Sequence, residues 1–462
     1  MSLSIPEKFI QSLEGAAGFD SRAFVKAHES GIPVTSVRYN PLKTNSYTGQ
    51  LPEKKERIGW SPYGYYLPER PSFTHDPLFH GGLYYVQEPG SQFVWKALQC
   101  CADPAQPVKV LDLCAAPGGK STLLASYFKN GLVVSNEIMK NRASVLTENV
   151  TKWGSGNIVV TSNDPVHFQR LKGYFDVILV DAPCSGSGLF RKEPFAIEQW
   201  TTELVEQCST RQENILKNTL PSLKEGGMVI YSTCSYSIRE DEDIMDYLCS
   251  QLGLSPIVLP EVPSGVVPVK GKQMSPNGQY PVGYKFYPDK VRSEGFFLSV
   301  FKKDFPELPG YATGAPGKSI TPLEKDLIQE WIKPGMDVHL FKQGEEILAI
   351  ENKWAPDLAV LQKNLFLKKA GVKLGQVKGK SLVPAHDLAV SNWVHPEVKT
   401  LPLDRAQSLQ YLKCQHPDLE LDTLPKGWYL AQYEGVRLGW LKVLQGRVNN
   451  YYPRNWRILK EE

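Results

Sequence analysis

Between about Lys96 and Lys303, short runs of consecutive apolar residues recur, separated by longer stretches with helical spacing. The runs are Val108–Leu113, Gly131–Asn136, Asn157–Thr161, Phe175–Val180 and Gly227–Tyr231. Short apolar runs without polar alternation read as strands covered on both faces. Helical patterns fill the gaps, notably Lys140–Trp153 and Thr202–Leu223. Strands alternating with helices predict a parallel, doubly wound sheet with right-handed crossovers. Gly283–Tyr287 and Gly295–Lys302 then predict a hairpin-like pair that closes the sheet.

The flanks read differently. Residues 1–95 begin with helical patterns at Ile5–Leu13 and Ser21–His28, followed by a strand at Thr35–Arg38 and a turn at Asn40–Lys43. Residues 304–321 are rich in Pro and Gly and predict a linker. Residues 322–462 form a further region. Its last part, about 390–462, predicts a small all-β module running from Gly427–Leu430 through Arg437–Lys442 to Arg457. No internal repeat or low-complexity tract is visible.

A length of 462 residues, 42% hydrophobic and 22% charged, suits a globular chain of two or three domains. No apolar run is long enough to span a membrane, and Met1–Lys8 lacks a signal pattern, so a cytoplasmic protein is expected. A net charge of +3 neither requires nor excludes nucleic acid. The eight cysteines contain no C-x-x-C pair, so no metal is expected and the thiols should be reduced. Between Gly49 and Arg70, Lys54, Lys55 and Arg57 interleave with Trp60, Tyr63, Tyr65 and Tyr66. That pattern suits either single-stranded nucleic acid or a Pro-rich loop packed by its own rings.

The chemistry gathers after the strands, where ligands bind in open α/β sheets. After the first strand comes Cys114-Ala115-Ala116-Pro117-Gly118-Gly119-Lys120-Ser121. Its small residues let a ligand approach the backbone at a helix start. The dinucleotide signature G-x-G-x-x-G is absent, and the first glycine of a P-loop would fall on Cys114. S-adenosylmethionine, which has no phosphates to cradle, fits better. Glu137 ends the second strand, where a carboxylate accepts both ribose hydroxyls. Asp164 follows the third and would either accept from an adenine amino group or cap the next turn.

Two cysteine motifs follow later strands, Asp181-Ala182-Pro183-Cys184-Ser185 and Ser232-Thr233-Cys234-Ser235. A cysteine after the fourth strand points to carbon rather than amine methylation. C5 of cytosine is a poor nucleophile until a thiolate adds at C6. Asp181 would hydrogen-bond the N3/N4 edge of a flipped base.

The segments Asp112–Lys120, Asp181–Gly188 and Ser232–Ser237 closely resemble motifs of the Nop/Sun family of RNA cytosine-5 methyltransferases. Tyr84-Tyr85-Val86-Gln87-Glu88-Pro89 resembles that family's opening motif and Ser293–Phe297 its closing strand. The similarity covers about residues 5–303. It implies that Cys234 is the nucleophile, that Cys184 assists release of the methylated base, and that Lys120 touches target or cofactor. The implied catalytic set is Cys234, Cys184, Asp181 and Lys120. The implied cofactor set is Cys114, Ala115, Ala116, Pro117, Gly118, Gly119, Lys120, Glu137, Arg142, Asp164 and Asp181. One departure is visible: Tyr287-Pro288-Asp289 and Ser293 stand where members often carry Pro-His.

Lys373–Lys380, Pro384–His386, Leu438–Lys442 and Asn449–Pro453 resemble the tail of bacterial 16S rRNA-modifying members, which ends in a PUA-like RNA-binding barrel. Lys363, Lys368, Lys369, Lys373, Lys378 and Lys380 would then line phosphates. The resemblance implies an α/β chain with a doubly wound Rossmann-like methyltransferase core (96–303), an N-terminal α+β RNA-binding extension and a C-terminal PUA-like β-barrel region. It implies a monomer acting with S-adenosylmethionine on 16S rRNA, within the 30S subunit. A tRNA cytosine-5 methyltransferase and a non-catalytic ribosome-assembly factor are the competing readings.

Overall fold

A computed structural model describes residues 5–29, 31, 33–52, 56–314 and 320–460. Lys54 and Lys55 of the basic–aromatic stretch, Met1–Ser4 and linker residues 315–319 lie outside these.

The central sheet has ten strands: β1 Lys109–Asp112, β2 Leu132–Asn136, β3 Ile158–Thr161, β4 Phe175–Asp181, β5 Leu223–Thr233, β6 Ser255–Ile257, β7 Val267–Lys270, β8 Val282–Phe286, β9 Phe296–Lys302 and β10 Leu367–Ala370. Their order is β7-β8-β9-β5-β4-β1-β2-β3-β10, with β6 beside β9. β1 to β5 pair in parallel, and β9 closes antiparallel on β5. All five expected parallel strands are present.

Alternate residues of each run feed opposite layers. Leu111, Val134, Ile178 and Tyr231 enter one core; Val110, Val133, Val177 and Ile230 enter the other. Both faces are thus covered, which is why the runs read as uninterrupted apolar stretches.

The layers are built on α1 Gly119–Tyr127, α2 Lys140–Trp153, α3 Thr202–Thr219 and α4 Glu242–Ser250. Thr201 caps α3 by accepting from Leu204 N at 3.1 Å. α3 stops short of the expected Leu223. Pro221 cannot continue the α ladder, so a 3-10 turn over Leu220–Ser222 feeds β5.

The N-terminal extension places a small sheet, with Ser36–Tyr39 between Gly64–Tyr66 and Tyr84–Val86, against the core. Its aromatic stretch is largely packing. Trp60 is buried against Phe93 and Phe286 and donates to Pro89 O at 2.7 Å. Tyr63 meets Trp95, and Tyr65 meets Tyr39.

The C-terminal region shares the central sheet, which the sequence pattern did not reveal. β10 pairs antiparallel with β3, Lys369 opposite Val160. Two hairpins belong to the same region, Val338–Gln343 with Glu346–Glu351 and Val372–Lys378 with Ser381–Pro384. The terminal β module is a four-stranded sheet of Thr400–Pro402, Gly427–Tyr433, Val436–Leu444 and Arg447–Asn450 around its own core. The expected lysine stripe needs one correction. Lys369 is buried and ion-paired with Asp387, so it is consumed internally, whereas Lys363, Lys378 and Lys380 are exposed.

Candidate active site

Because β1 to β5 run in one direction, their carboxyl ends place five loops along one edge of the sheet. The loop after β1 turns at Gly118, whose φ of +116° lies in the left-handed region. A Cβ there would also stand 3.2 Å from Leu146. Ser121 on α1 donates to Asp112 Oδ2 at 2.6 Å, closing the loop on its strand. Asp112 Oδ1 is buried without a partner among the described residues. Burial pushes this carboxyl up to about 7, against the Ser121 hydrogen bond. From the N-terminal sheet, buried Arg38 donates to Gly119 O at 3.1 Å and to Thr122 Oγ1 at 2.6 Å. Burial lowers its pKa to about 9, so the guanidinium stays charged at neutral pH.

A cavity of about 820 Å³ opens beside this loop. Cys114, Ala116, Glu137, Arg142, Asp164 and Asp181 of the expected set line it, with Asn136, Ile138, Met139 and Pro165. Glu137 is 3% exposed; its Oε1 accepts from Met139 N at 2.9 Å and its Oε2 lies 3.4 Å from Arg142 Nη1. Arg142 also donates to Ala116 O at 2.8 Å, tying the β2 end to the β1 loop. Asp164 caps the next turn by accepting from Val166 N at 3.0 Å and still faces the cavity. Ile138 and Met139, both about half exposed, offer an apolar wall suited to a flat ring. The size falls in the usual range of small-ligand sites.

A second cavity, of about 240 Å³, holds the rest of the set. Ala115, Pro117, Gly119 and Lys120 line it with Tyr85, Gln87, Lys192 and Phe296. Gly118 lines neither cavity; its place is the turn. Asp181 and Cys234 line both. Asp181 accepts from Ser232 Oγ at 2.7 Å and pairs with Lys120 Nζ at 2.8 Å.

The two cysteines meet at this junction. Cys184 Sγ and Cys234 Sγ are 3.2 Å apart, and both are free thiols. Contact with Cys234 holds the Cys184 pKa well above the usual thiol range, and burial and the Glu240 carboxylate push the same way.

Three groups here escaped the sequence reading. Glu240, at the entrance to α4, accepts from Ser185 N, Ser185 Oγ and Ser235 Oγ at 2.6–2.7 Å. Its only signal was an acidic run, Glu240-Asp241-Glu242-Asp243, which reads as an ordinary helix start. Arg38 carried no signal beyond a charge in an apolar strand. Glu88 accepts from Ser293 Oγ at 2.6 Å and Glu294 N at 2.8 Å, joining the two outer motifs. Ser293 thus has a carboxylate partner of its own, and Arg191 pairs with Glu294 at 2.8 Å.

Comparison with known proteins gives the family. Residues 100–302 match the family described as 16S rRNA methyltransferase RsmB/F. Residues 5–89 match the N-terminal domain of 16S rRNA methyltransferase RsmF, and residues 398–458 the methyltransferase RsmF PUA domain. Ribosomal RNA small subunit methyltransferase F of Shewanella loihica is 30% identical over 437 residues, covering 91% of this chain and 88% of its own. The protein of the same name from Aeromonas salmonicida is 27% identical over 448 residues, covering 91% and 90%. The solved structure of NSun6 from Pyrococcus horikoshii with SFG shares the fold, with a TM-score of 0.52 and 18% identity, over 66% of this chain and 100% of that one.

Proposed function

The chain belongs to the RsmF family of 16S rRNA methyltransferases, and from that premise we propose that it methylates C5 of a cytidine in 16S rRNA, using S-adenosylmethionine and a covalent bond from Cys234. The observation that carries this reading is the junction of the two cavities, where two free thiols, 3.2 Å apart, stand beside Asp181 and Lys120.

The larger cavity fits the cofactor. Glu137 would accept the ribose hydroxyls, Ile138 and Met139 would offer an apolar wall to the adenine, and Asp164 would accept from its amino group. Arg142 and the Cys114–Lys120 loop hold the remainder in place. A neighbour in fold was solved with SFG, an S-adenosylmethionine analogue, which supports the assignment. When bound, S-adenosylmethionine supplies an electrophilic methyl group.

The smaller cavity takes the target base. Asp181 hydrogen-bonds its N3/N4 edge, and Lys120 fixes Asp181. The Cys234 thiolate adds to C6, and the electron pair of the C5–C6 bond becomes available at C5, where S-adenosylmethionine would supply the methyl group and leave as a neutral thioether. The C5 proton then passes to solvent water, and its electron pair restores the C5–C6 double bond as the C6–S bond breaks and the Cys234 thiolate returns. Cys184 assists the release step. The exposed lysines of the C-terminal region bind phosphates, and the enzyme works as a monomer in the cytoplasm on the 30S subunit.

The test uses tritiated S-adenosylmethionine with 30S subunits, naked 16S rRNA and bulk tRNA from cells lacking the gene. Label in 30S or 16S rRNA is expected. Label mainly in tRNA overturns the substrate, and no label in any of them overturns the activity. Cys234→Ala should abolish transfer; full activity in that variant overturns the mechanism. Cys184→Ala should accumulate a protein–RNA adduct that survives denaturing electrophoresis.

A further inference from the structure

The strand ladder does not by itself fix how far apart the two thiols stand. β4 and β5 stay in register to Asp181 opposite Ser232. Beyond that pair the chain leaves on separate loops, Pro183-Cys184-Ser185 and Cys234-Ser235. Gly188 N donates to Cys234 O at 2.9 Å and Tyr236 N to Ser187 Oγ at 3.0 Å, and one carboxylate bridges the two loops beside the sulfurs. Glu240 Oε1 accepts from Ser185 N at 2.7 Å and from Gln212 Nε2 at 3.3 Å. Glu240 Oε2 accepts from Ser185 Oγ at 2.6 Å and from Ser235 Oγ at 2.7 Å. Gln212 in turn donates to Pro183 O at 3.0 Å, so the first loop is held on both sides of its cysteine. Glu240 is fully buried.

Each serine directly follows its cysteine, so the carboxylate grips the residue next to each sulfur. We propose that Glu240 is a positioning residue that sets the spacing of Cys184 and Cys234, and that both methyl transfer and product release depend on that spacing. The inference rests on the thiol roles proposed above. The two sulfurs must address one ring, one at C6 and the other during release, without either loop moving. Misplacement of a reacting group by about 1 Å costs on the order of 100-fold in rate. Charge-assisted hydrogen bonds are the short, strong ones, and one buried anion with four donors is a stiff link between two loops. The acidic run that reads from the sequence as a helix start thereby has two roles. Its first member is buried between the two cysteine loops, while Asp241 and Glu242 pair with Lys285.

The test compares Glu240→Ala with Glu240→Gln in the full chain carrying Cys100→Ser and Cys101→Ser, which removes the other adjacent thiols. Phenylarsine oxide is the probe, because one arsenic atom is captured stably only by two thiols within its reach. Cys184→Ala serves as the negative control. Glu240→Ala should lose arsenical capture while both thiols still react with a monofunctional reagent in the folded protein. Its kcat should fall about 100-fold, with KM for RNA and for cofactor within about 3-fold. Glu240→Gln keeps the shape and can satisfy the same partners by hydroxyl rotation, so capture should persist and kcat should recover to within about 10-fold.

Wild-type capture and wild-type kcat in Glu240→Ala would overturn the inference. If Glu240→Ala loses cofactor binding by calorimetry and so has not folded, Ser185→Ala with Ser235→Ala carries the test. There, capture and kcat must fall together, and both unchanged would overturn it. Failure of the function proposed above looks different: Cys234→Ala remains active. Failure of this inference leaves Cys234→Ala dead and Glu240→Ala intact.

Discussion

The strand-end rim and the seam where the C-terminal region meets the core are both built from buried polar groups, but in opposite ways. At the rim, Asp181 meets Ser232 and Glu240 meets Ser235, partners on neighbouring strand ends and loops. At the seam, partners come from distant parts of the chain. His80 meets Tyr452, Asp357 takes Lys109 and Tyr174, and Asn163 exchanges two hydrogen bonds with the backbone of Phe366. At the rim, Asp181 lines both cavities; at the seam, His80 and His386 are buried against protein. Chemistry at the rim should therefore tolerate changes that break the seam, and the reverse.

Acid should separate the two most strongly. Burial lowers His80 to about 4 and His386 to about 3, opposed in part by the Thr74 carbonyl for His80 and by Asp387 for His386. Lys152 faces both, with His75 beside His80 and Lys43 and Lys369 beside His386. A folded pKa below the unfolded 6.5 means stability that is present above pH 6.5 and lost as pH falls toward 4. The shifts correspond to about 3 kcal/mol for His80 and about 5 kcal/mol for His386. Asp112 at the rim has the opposite sign: raised to about 7, it contributes stability that is complete at low pH and lost as pH rises through 7. Hydrogen exchange at about pH 7.5 and about pH 5 should show the seam strands opening in acid while β1 and β4 stay protected. His80→Asn should flatten that response. Equal loss of protection in both regions would erase the distinction.

The next test acts at the rim alone. Glu137→Ala removes the carboxylate assigned to the ribose hydroxyls. Two charged hydrogen bonds lost should cost about 3 kcal/mol, a rise of roughly 100-fold in the cofactor dissociation constant. Glu137 pairs with half-exposed Arg142 and its own turn, so the melting temperature should hardly move. Calorimetry and a thermal melt check both halves. Gly154→Ala is the mirror experiment. Gly154 ends α2 with φ +79°, and an added Cβ would stand 2.4 Å from Val390 O of the C-terminal region. The variant should lose about 2 kcal/mol or more of stability, while cofactor affinity stays within about 2-fold.

The same contrast governs what could be read from the chain. The five parallel strands, α2 and the two cysteine motifs were legible because each is specified within a few residues: an apolar run, a glycine turn, a strand-end acid. Resemblance to a family supplied the roles of the two thiols, which chemistry alone left open. Glu240 was missed because a helix start and a buried clamp share one local pattern, and only the fold brings Ser185 to it. β10 was missed because Leu367-Lys368-Lys369-Ala370 carries two lysines and lacks the apolar run of the other strands. An edge strand is paired on one side only, so it tolerates such charge. The lysine stripe was half legible: the charges were visible, but not which of them Asp387 would claim.

The lysines also allow the finest test. Lys368 and Lys373 line a cavity of about 400 Å³ between α2 and the C-terminal region, with Thr147, Thr151 and Trp456. Both remain partly exposed. Lys369 lines it as well but is 7% exposed and bound to Asp387, whose carboxyl lies below its usual range: Lys369 outweighs the opposing effect of burial, with help from Lys373. If phosphates bind here, Lys368→Ala with Lys373→Ala should lower RNA affinity by several-fold and reduce the slope of log affinity against log salt by roughly 2. Cofactor affinity and stability should be unchanged. Lys369→Ala should do the reverse, leaving a buried carboxylate unpaired, lowering stability by about 3 kcal/mol and leaving the salt slope alone. Filter binding across a salt series, run beside thermal melts, separates the two. Identical behaviour of all three lysines would mean that the seam, like the rim, turns its charges toward the ligand, and the comparison would fail at its most local point.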